Sequence, residues 1–514
     1  MAFPFTPPLI HRLVSRLPPR EESTEDARRT VLRELRKYSA ASIVAAALRL
    51  LSSPTVDRLH SIRMAPWHVL LLVKWAMQDP YVQLESGRAI TWAQFDELRQ
   101  RLWDLGGEEH RRHPPDNLAL MLRTLLQQIE FQRPVSYGFL RWPALIGRQD
   151  RNHPSYRQFV ATLGMSPEHF IDLSYGVYAA VLSDDGKVPG GWFDTLKPSY
   201  GASVDAFWGL FVRDLFSLRQ QLRGEAAGRL TLKQELASFP HLKRYPLFRG
   251  AGGAVRCWHP LVFARGLEEA AHLRLSELQD QYTRPFSRLF EQYVIELAKT
   301  MLPDALSDAE YLAAVGGGEN SNVEAAAVLG DCNVFVEAKM ALFSDELLLT
   351  DSEWQVYTKT KPLRKAIDQA WNVGRAVRTP STSLREFSSA DQDFLLVVTS
   401  RELHVGGGEK LRSLYRQGRL EHPDAEAQRN LPFHNVFVVS IESFERLTIA
   451  VAAGKVHLAT VLKDAARRCQ DPSTARPFFE DYFSQQVSDW GMSPLLLHAS
   501  DGSEARLSHA LGAD

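Results

Sequence analysis

The chain is poor in cysteine, has almost no net charge and carries no long apolar run. Its three cysteines, Cys257, Cys332 and Cys469, lie far apart along 514 residues. That spacing excludes a disulfide framework and the paired cysteines of a structural zinc site. It fits a reducing, cytoplasmic setting. Formal net charge is −1, so no global positive field draws in nucleic acid, and any such contact must come from a local basic surface. The longest apolar stretches, SIVAAALRLL and WHVLLLVKWAM, are short and contain Arg49 or Lys74. Neither spans a bilayer, so no membrane partner is expected. The opening residues, MAFPFTPPLIHRLVSRL, are broken by prolines and basic residues, unlike the continuous apolar region of a signal peptide. The glycine runs at Gly316-Gly317-Gly318 and Gly406-Gly407-Gly408 lack the Gly-Lys-Ser/Thr ending of a phosphate-binding loop.

What is present is an ordinary globular composition, 45% apolar and 24% charged. The length exceeds one core and implies two or three domains. From about Glu25 to about Gly224 the pattern is mostly helical. Thr91 and Gln94 form a capping box opening a helix that Gly106-Gly107 is expected to end. Ser166 before Pro167 marks another helix start. Trp142, Phe159, Phe170, Trp208 and Phe211 read as core. Arg141, Arg148, Arg151 and Arg157, interleaved with them, read as a solvated helix face that also permits nucleic-acid contact. Between Pro240 and Pro260 glycine, proline and basic residues mix. This reads as a connector whose Lys243, Arg244, Arg249 and Arg256 form a local basic patch.

The most informative stretch is SNVEAAAVLGDCNVFVEAK, from Ser321 to Lys339. It reads as two strands, about Asn322–Leu329 and Cys332–Ala338, joined by the tight turn Gly330-Asp331. Glu337 and Lys339 then share a face. If the turn has two residues, Leu329 faces Cys332 and Glu324 faces Glu337, with Cβ atoms about 4.5–5.5 Å apart. Two opposed carboxylates destabilise a hairpin unless a cation lies between them, and Mg²⁺ accepts such oxygen ligands. Asp331 is the rival acid, but six residues of strand, about 20 Å, separate it from Glu337.

Around this hairpin the pattern runs helix, strands, helix, strand. A helix from about Thr283, capped by Thr283 with Pro285 in its first turn, carries Phe290-Glu291 and ends at Pro303. Tyr311–Val315 reads as a short extended piece. Lys361–Val377 reads as a helix with Lys365 and Gln369 one turn apart. Asp393–Thr399 and Asn435–Ile441 read as strands, followed by a helix over Glu442–Ala452 and two further helices.

The acid-x-Lys ending Glu337-Ala338-Lys339, the upstream acid Glu324 and the preceding Phe290-Glu291 helix together resemble the PD-(D/E)xK nuclease superfamily. The resemblance covers about residues 283–452, does not reach the N-terminal half, and implies an α/β domain with the αβββαβ restriction-endonuclease-like core. Together with the large, mostly α-helical N-terminal region and the connector read above, the expected division is a helical region at 1–235, a connector at 236–282, a nuclease domain at 283–452 and C-terminal helices at 453–514. The resemblance further implies that Glu324, Glu337 and the Ala338 carbonyl hold Mg²⁺, with Mn²⁺ as a substitute, that Lys339 acts on the attacking water, and that Glu291 assists metal binding. Gln369 is an accessory candidate. The implied activity is metal-dependent, endonucleolytic hydrolysis of nucleic acid, DNA before RNA. The layout resembles bacterial anti-phage defence proteins, with a protein partner or a homo-oligomer as a further expectation. Two other readings stand beside it: a degenerate nuclease fold that binds without cutting, and an interaction protein with a structural hairpin.

Overall fold

The computed structural model describes residues 24–52, 64–112, 131, 137–183, 186–189, 191–225, 230–250, 253–315, 322–340, 348–350, 352–379, 384–415, 420–421, 424–487 and 489–512. The described chain is mostly helical, with two small mixed sheets. It divides into two compact units, each drawn from separated stretches. The first comprises Met1–Val135, Val177–Thr195 and Trp208–Gly266; the second comprises Ser136–Gly176, Leu196–Phe207 and Leu267–Asp514. Among the described residues no helix is long and apolar enough to cross a membrane.

In the first unit, α1 (Pro66–Gln78) is apolar nearly all round, and every residue from Pro66 to Met77 is buried. Such a helix belongs at the centre of a core. Its one charge, Lys74, is neutralised by Glu235, which also accepts from the Trp75 indole at 3.2 Å. The Thr91–Gln94 capping box forms, with bonds of 3.0 and 3.3 Å. The helix it opens does not stop at Gly106-Gly107 but runs from Trp92 to Arg112. Both glycines face open space, whereas Leu105 and Glu109 are buried. Packing outweighs the roughly 1 kcal/mol helix penalty of each glycine.

Four short strands, β1 (Lys187–Val188), β2 (Val212–Asp214), β3 (Leu247–Arg249) and β4 (Val255–Cys257), form a sheet in the order β1-β4-β3-β2. Helix α2 (Leu215–Gly224) follows β2 directly, capped by Asp214. The stretch expected as a connector thus supplies two strands of this sheet. Its basic residues do not form one patch. Lys243 is buried, and the register pairs Phe248 with Arg256 and Arg249 with Val255, which puts the two exposed arginines on opposite faces.

The second unit is built on a five-stranded sheet in sequential order: β5 (Leu306–Ser307), β6 (Ala325–Leu329), β7 (Cys332–Lys339), β8 (Gln392–Thr399) and β9 (Val436–Ser440). The first three strands pair antiparallel and the last three parallel. Helix α3 (Asp280–Met301) precedes β5. It begins three residues before the expected cap, after Gln279 at φ +50°. Pro285 therefore lies inside the helix, where it removes an N–H. The Gln281 carbonyl four residues back instead accepts from the Gln158 side chain at 3.0 Å.

Residues 311–315 are not extended. They belong to helix α4 (Asp308–Val315), and the third antiparallel strand is the two-residue β5. Asp308 and Glu310 in the first turn suit a helix N-terminus, and fully buried Tyr311 anchors it. Helix α5 (Lys361–Val377) makes the crossover from β7 to β8 and packs on both strands. Helix α6 (Ile441–Ala452) follows β9 and packs on α3. The aromatic core expectation is met at Trp142, Phe159, Phe170 and Phe211, which are buried, whereas Trp208 is half-buried. Arg141 is buried rather than solvated, forked onto Glu445 by two 2.8 Å bonds.

Candidate active site

The site is set by strand register. Leu329 faces Cys332, so Gly330 and Asp331 form the turn, with Gly330 at φ +65°, a conformation glycine adopts without strain. Pairing runs outward to Ala325 opposite Val336. The next position places Glu324 opposite Glu337. On the other side, Ser307 faces Ala325, so the next position places Asp308 opposite Glu324. The Asp308 N–H donates to the Glu324 carbonyl at 3.2 Å. Asp308 opens helix α4 and Glu324 lies just before β6, which starts at Ala325 rather than at the expected Asn322, so only Glu337 of these three acids is a strand residue. On its β8 side Glu337 faces buried Val397.

Lys339 lies two residues beyond Glu337 on the same face. Its ammonium is ion-paired to Glu337 Oε1 and donates to Gln369 Oε1 of α5 at 3.3 Å. Gln369, an accessory candidate in the sequence, thus reaches the lysine. The Glu337 side chain is 2% exposed, and its second oxygen, Oε2, is buried with no hydrogen-bond partner. Ala338 is buried between the two, with its side chain on the other face.

Electrostatics tie Glu291 of α3 to this group. Burial pushes the Glu324 carboxyl up to about 8, and the charges of Glu337 and Glu291 push in the same direction. Burial also raises Glu337, partly offset by Lys339, and Glu291 adds to the rise. Glu291 is raised by burial, with Lys339 and Arg288 opposing and Asp308 reinforcing. The Lys339 ammonium thus acts on Glu291, Glu324 and Glu337, and Arg288 acts on Glu291 as well. Asp331 is not among them. It is exposed at the turn and ion-paired to Lys463 at 2.6 Å.

Asp308 is the residue that sequence reading missed. The signal was the dipeptide Ser307-Asp308 before a run of helix formers. Taking 311–315 for the third strand moved that strand past the acid.

Among the described residues no group of three or more His, Cys, Asp or Glu side chains is gathered closely enough to hold a metal ion by itself. A magnesium ion needs only one or two carboxylates and retains water in its remaining positions. The residues present fit such an ion. Glu337 Oε2 is a buried acceptor without a donor, and Glu324 is pushed toward its neutral form chiefly by burial and next by the neighbouring Glu337 and Glu291 charges, with Lys339 opposing.

The chain was compared with family models, with curated proteins and with solved structures, and it matches none of them.

Proposed function

We propose that the second unit carries a PD-(D/E)xK-type, divalent-cation-dependent phosphodiesterase that hydrolyses nucleic acid. One observation supports this reading most: Glu337 is buried with Oε2 unpartnered and Oε1 ion-paired to Lys339 two residues on, next to Glu324 just beyond the last paired position of β6. Glu324 and Glu337 would hold the cation with the Ala338 carbonyl, and Glu291 and Asp308 add negative charge beside it. The bound ion supplies Lewis acidity toward a phosphate oxygen and lowers the pKa of a coordinated water. Lys339 holds an ammonium where negative charge develops on the phosphoryl oxygens, and such a fixed charge acts more strongly in a buried site than in water. Gln369 fixes the direction of that ammonium through its side-chain oxygen. Water adds to phosphorus and one ester oxygen leaves. DNA is the proposed substrate in preference to RNA, with invading nucleic acid as its source.

A second reading, binding without cleavage, is favoured by the lack of a three-acid cluster among the described residues. One experiment separates the two. Purified protein is incubated with plasmid, linear DNA and RNA, in Mg²⁺ or in EDTA, beside Glu337→Ala and Lys339→Ala. Cleavage in Mg²⁺ alone, lost in both variants, supports the hydrolase. Cleavage that survives in both variants ends it, and retention of nucleic acid without cleavage supports the second reading.

A further inference from the structure

The carboxylates around Glu337 repel a phosphodiester, so a nucleic acid that reaches the site must be drawn there by basic side chains that no acid neutralises. Two helices of the second unit flank the site. Helix α3 packs on β6 and β7, and α5 packs on β7 and β8. A short link joins the end of α3 to β5, which runs in the same direction as β7 because both pair antiparallel with β6. Helix α5 crosses back from the end of β7 to the start of β8. Both helices therefore run against β7, and their N-terminal turns lie toward the edge where Lys339 ends the strand. The crevice outside the carboxyl ends of parallel strands is where open α/β sheets receive ligands.

The charges on the two helices are few. On α3, Arg284 pairs with Asp280 at 2.8 Å, Lys299 with Glu310 at 2.8 Å and Glu296 with Arg148 at 2.5 Å. What remains is Glu291, which belongs to the site, and exposed Arg288, which acts electrically on it. On α5, Arg364 is turned onto Tyr357, donating to its carbonyl at 3.0 Å and lying 3.7 Å from its ring centroid. Arg375 lies past Gln369, away from the strand ends, and donates to Asn372. Lys361 and Lys365 are exposed at the N-terminal end, and Asp368 is the one acid of the helix. Among the described residues, Arg288, Lys361 and Lys365 make no ion pair. The placement is alike on the two helices. Arg288 precedes Glu291 by three residues, and Lys365 precedes Gln369, which bonds to Lys339, by four. Each base stands about 4.5–6 Å along its helix, one turn outward of a residue that meets the site.

We propose that Arg288 and Lys365 grip the nucleic-acid backbone on either side of the scissile phosphate. Guanidinium and ammonium groups take phosphate oxygens whatever the base, so the pair sets register and orientation and leaves sequence unread. Lys361, one turn beyond Lys365, continues the track away from the site. An acidic peptide would meet the same two cations but offers no phosphate to the cation between them. The choice of nucleic acid rests on the phosphodiesterase reading of this unit.

The test measures fluorescence anisotropy of the full chain with two fluorescein-labelled duplexes of unrelated sequence over a salt series. It is run in Mg²⁺ in a Lys339→Met background, which suppresses cleavage, and repeated on the wild-type protein in EDTA. Arg288→Ala and Lys365→Ala should each lower the log–log salt slope by about 0.9 and weaken binding about 5-fold near physiological salt, equally for both sequences. Arg288→Lys and Lys365→Arg should restore the slope. Lys463→Ala removes a cation already paired with Asp331 and should leave it unchanged. Arg288 and Lys365 are exposed, so the melting curves of their variants should coincide with the parent's. No binding of either duplex, unchanged slopes in both alanine variants, a loss confined to one sequence, or displacement by polyglutamate at equal charge would each overturn the proposal. Mg²⁺-dependent cleavage by the wild-type chain with unchanged slopes in the variants removes this grip and leaves the cation site. Lowered slopes with no cleavage by the wild-type chain do the reverse.

Discussion

Glu324 and Glu337 are the residues that follow the last pair of the β6–β7 hairpin, Ala325 with Val336, and Glu337 is almost wholly buried there. Like charges so placed cost a hairpin stability. The fold tolerates them by keeping Glu324 protonated and by giving Glu337 the Lys339 ammonium. On the proposed reading, a cation would take the place of that proton.

That relationship gives stability a definite pH dependence. Glu324 titrates near 4.5 when unfolded and near 8 when folded. Between those values the folded state holds a proton that the unfolded chain releases. The stabilisation is complete below about 4.5 and is lost as pH rises toward 8. In EDTA, Glu324→Gln is therefore expected to melt above the wild type at pH 8, with the gap closing toward pH 4.5. Thermal melts over that range check this, and parallel curves for the two proteins would count against it. Mg²⁺ should narrow the gap, because it stabilises the ionised wild-type carboxylate only.

On the proposed reading, Lys339 and Gln369 make separable contributions to cleavage. Lys339→Met keeps the stem and removes the charge, and it should slow single-turnover cleavage by about 10²-fold or more. Gln369→Leu leaves the ammonium but frees its direction, and the expected loss is smaller, about 10-fold or less. Mn²⁺ affinity, read by electron paramagnetic resonance, should not fall in Gln369→Leu. A fall there would make Gln369 part of the cation site.

The hairpin was legible in the sequence because every signal in it is local. A Gly-Asp turn and a two-residue side-chain period fix the register of neighbouring strands, and the register alone brings 324 to 337. Asp308 was not legible, because β5 is two residues long and owes its existence to pairing with β6. Tyr-Leu-Ala-Ala-Val, at 311–315, is a short apolar run that fits a strand or a helix, and the structure makes it the second half of a helix anchored by buried Tyr311. The discontinuous units leave no mark in composition, since the chain returns to each by way of ordinary helices. Arg141 looked like surface because isolated arginines usually are, and only tertiary structure brings Glu445 to it.

That buried pair has its own expected cost. Arg141 is 1% exposed and contacts Glu445 and Glu268, while Tyr293 donates to Glu445 at 2.6 Å. Glu445→Gln leaves a buried guanidinium short of charge and should destabilise the second unit by about 3–5 kcal/mol. Hydrogen exchange in Asp280–Met301 and Ile441–Ala452 should accelerate accordingly. Arg141→Met combined with Glu445→Leu should recover much of the loss, since an apolar pair carries no desolvation penalty.

Asp308 and Asp331 provide the sharpest comparison, because both are acids flanking β6 and only one belongs to the carboxylates around Glu337. Asp308 is bonded through its backbone to Glu324 and acts electrically on Glu291 and Glu324. Asp331 is at the far end of the hairpin, exposed, and paired to Lys463. A carboxylate that supports metal ligands from beside them is worth about 10- to 100-fold in metal affinity. Asp308→Asn should therefore weaken Mn²⁺ binding by about 10-fold or more and lower cleavage at limiting metal, with recovery at high metal. Asp331→Asn should change neither, and its effect on stability should be small, as for other exposed ion pairs. Equal Mn²⁺ affinities for wild type and Asp308→Asn would remove Asp308 from the site, while a loss in Asp331→Asn would mean that the cation sits at the turn and not at the Glu324–Glu337 pair.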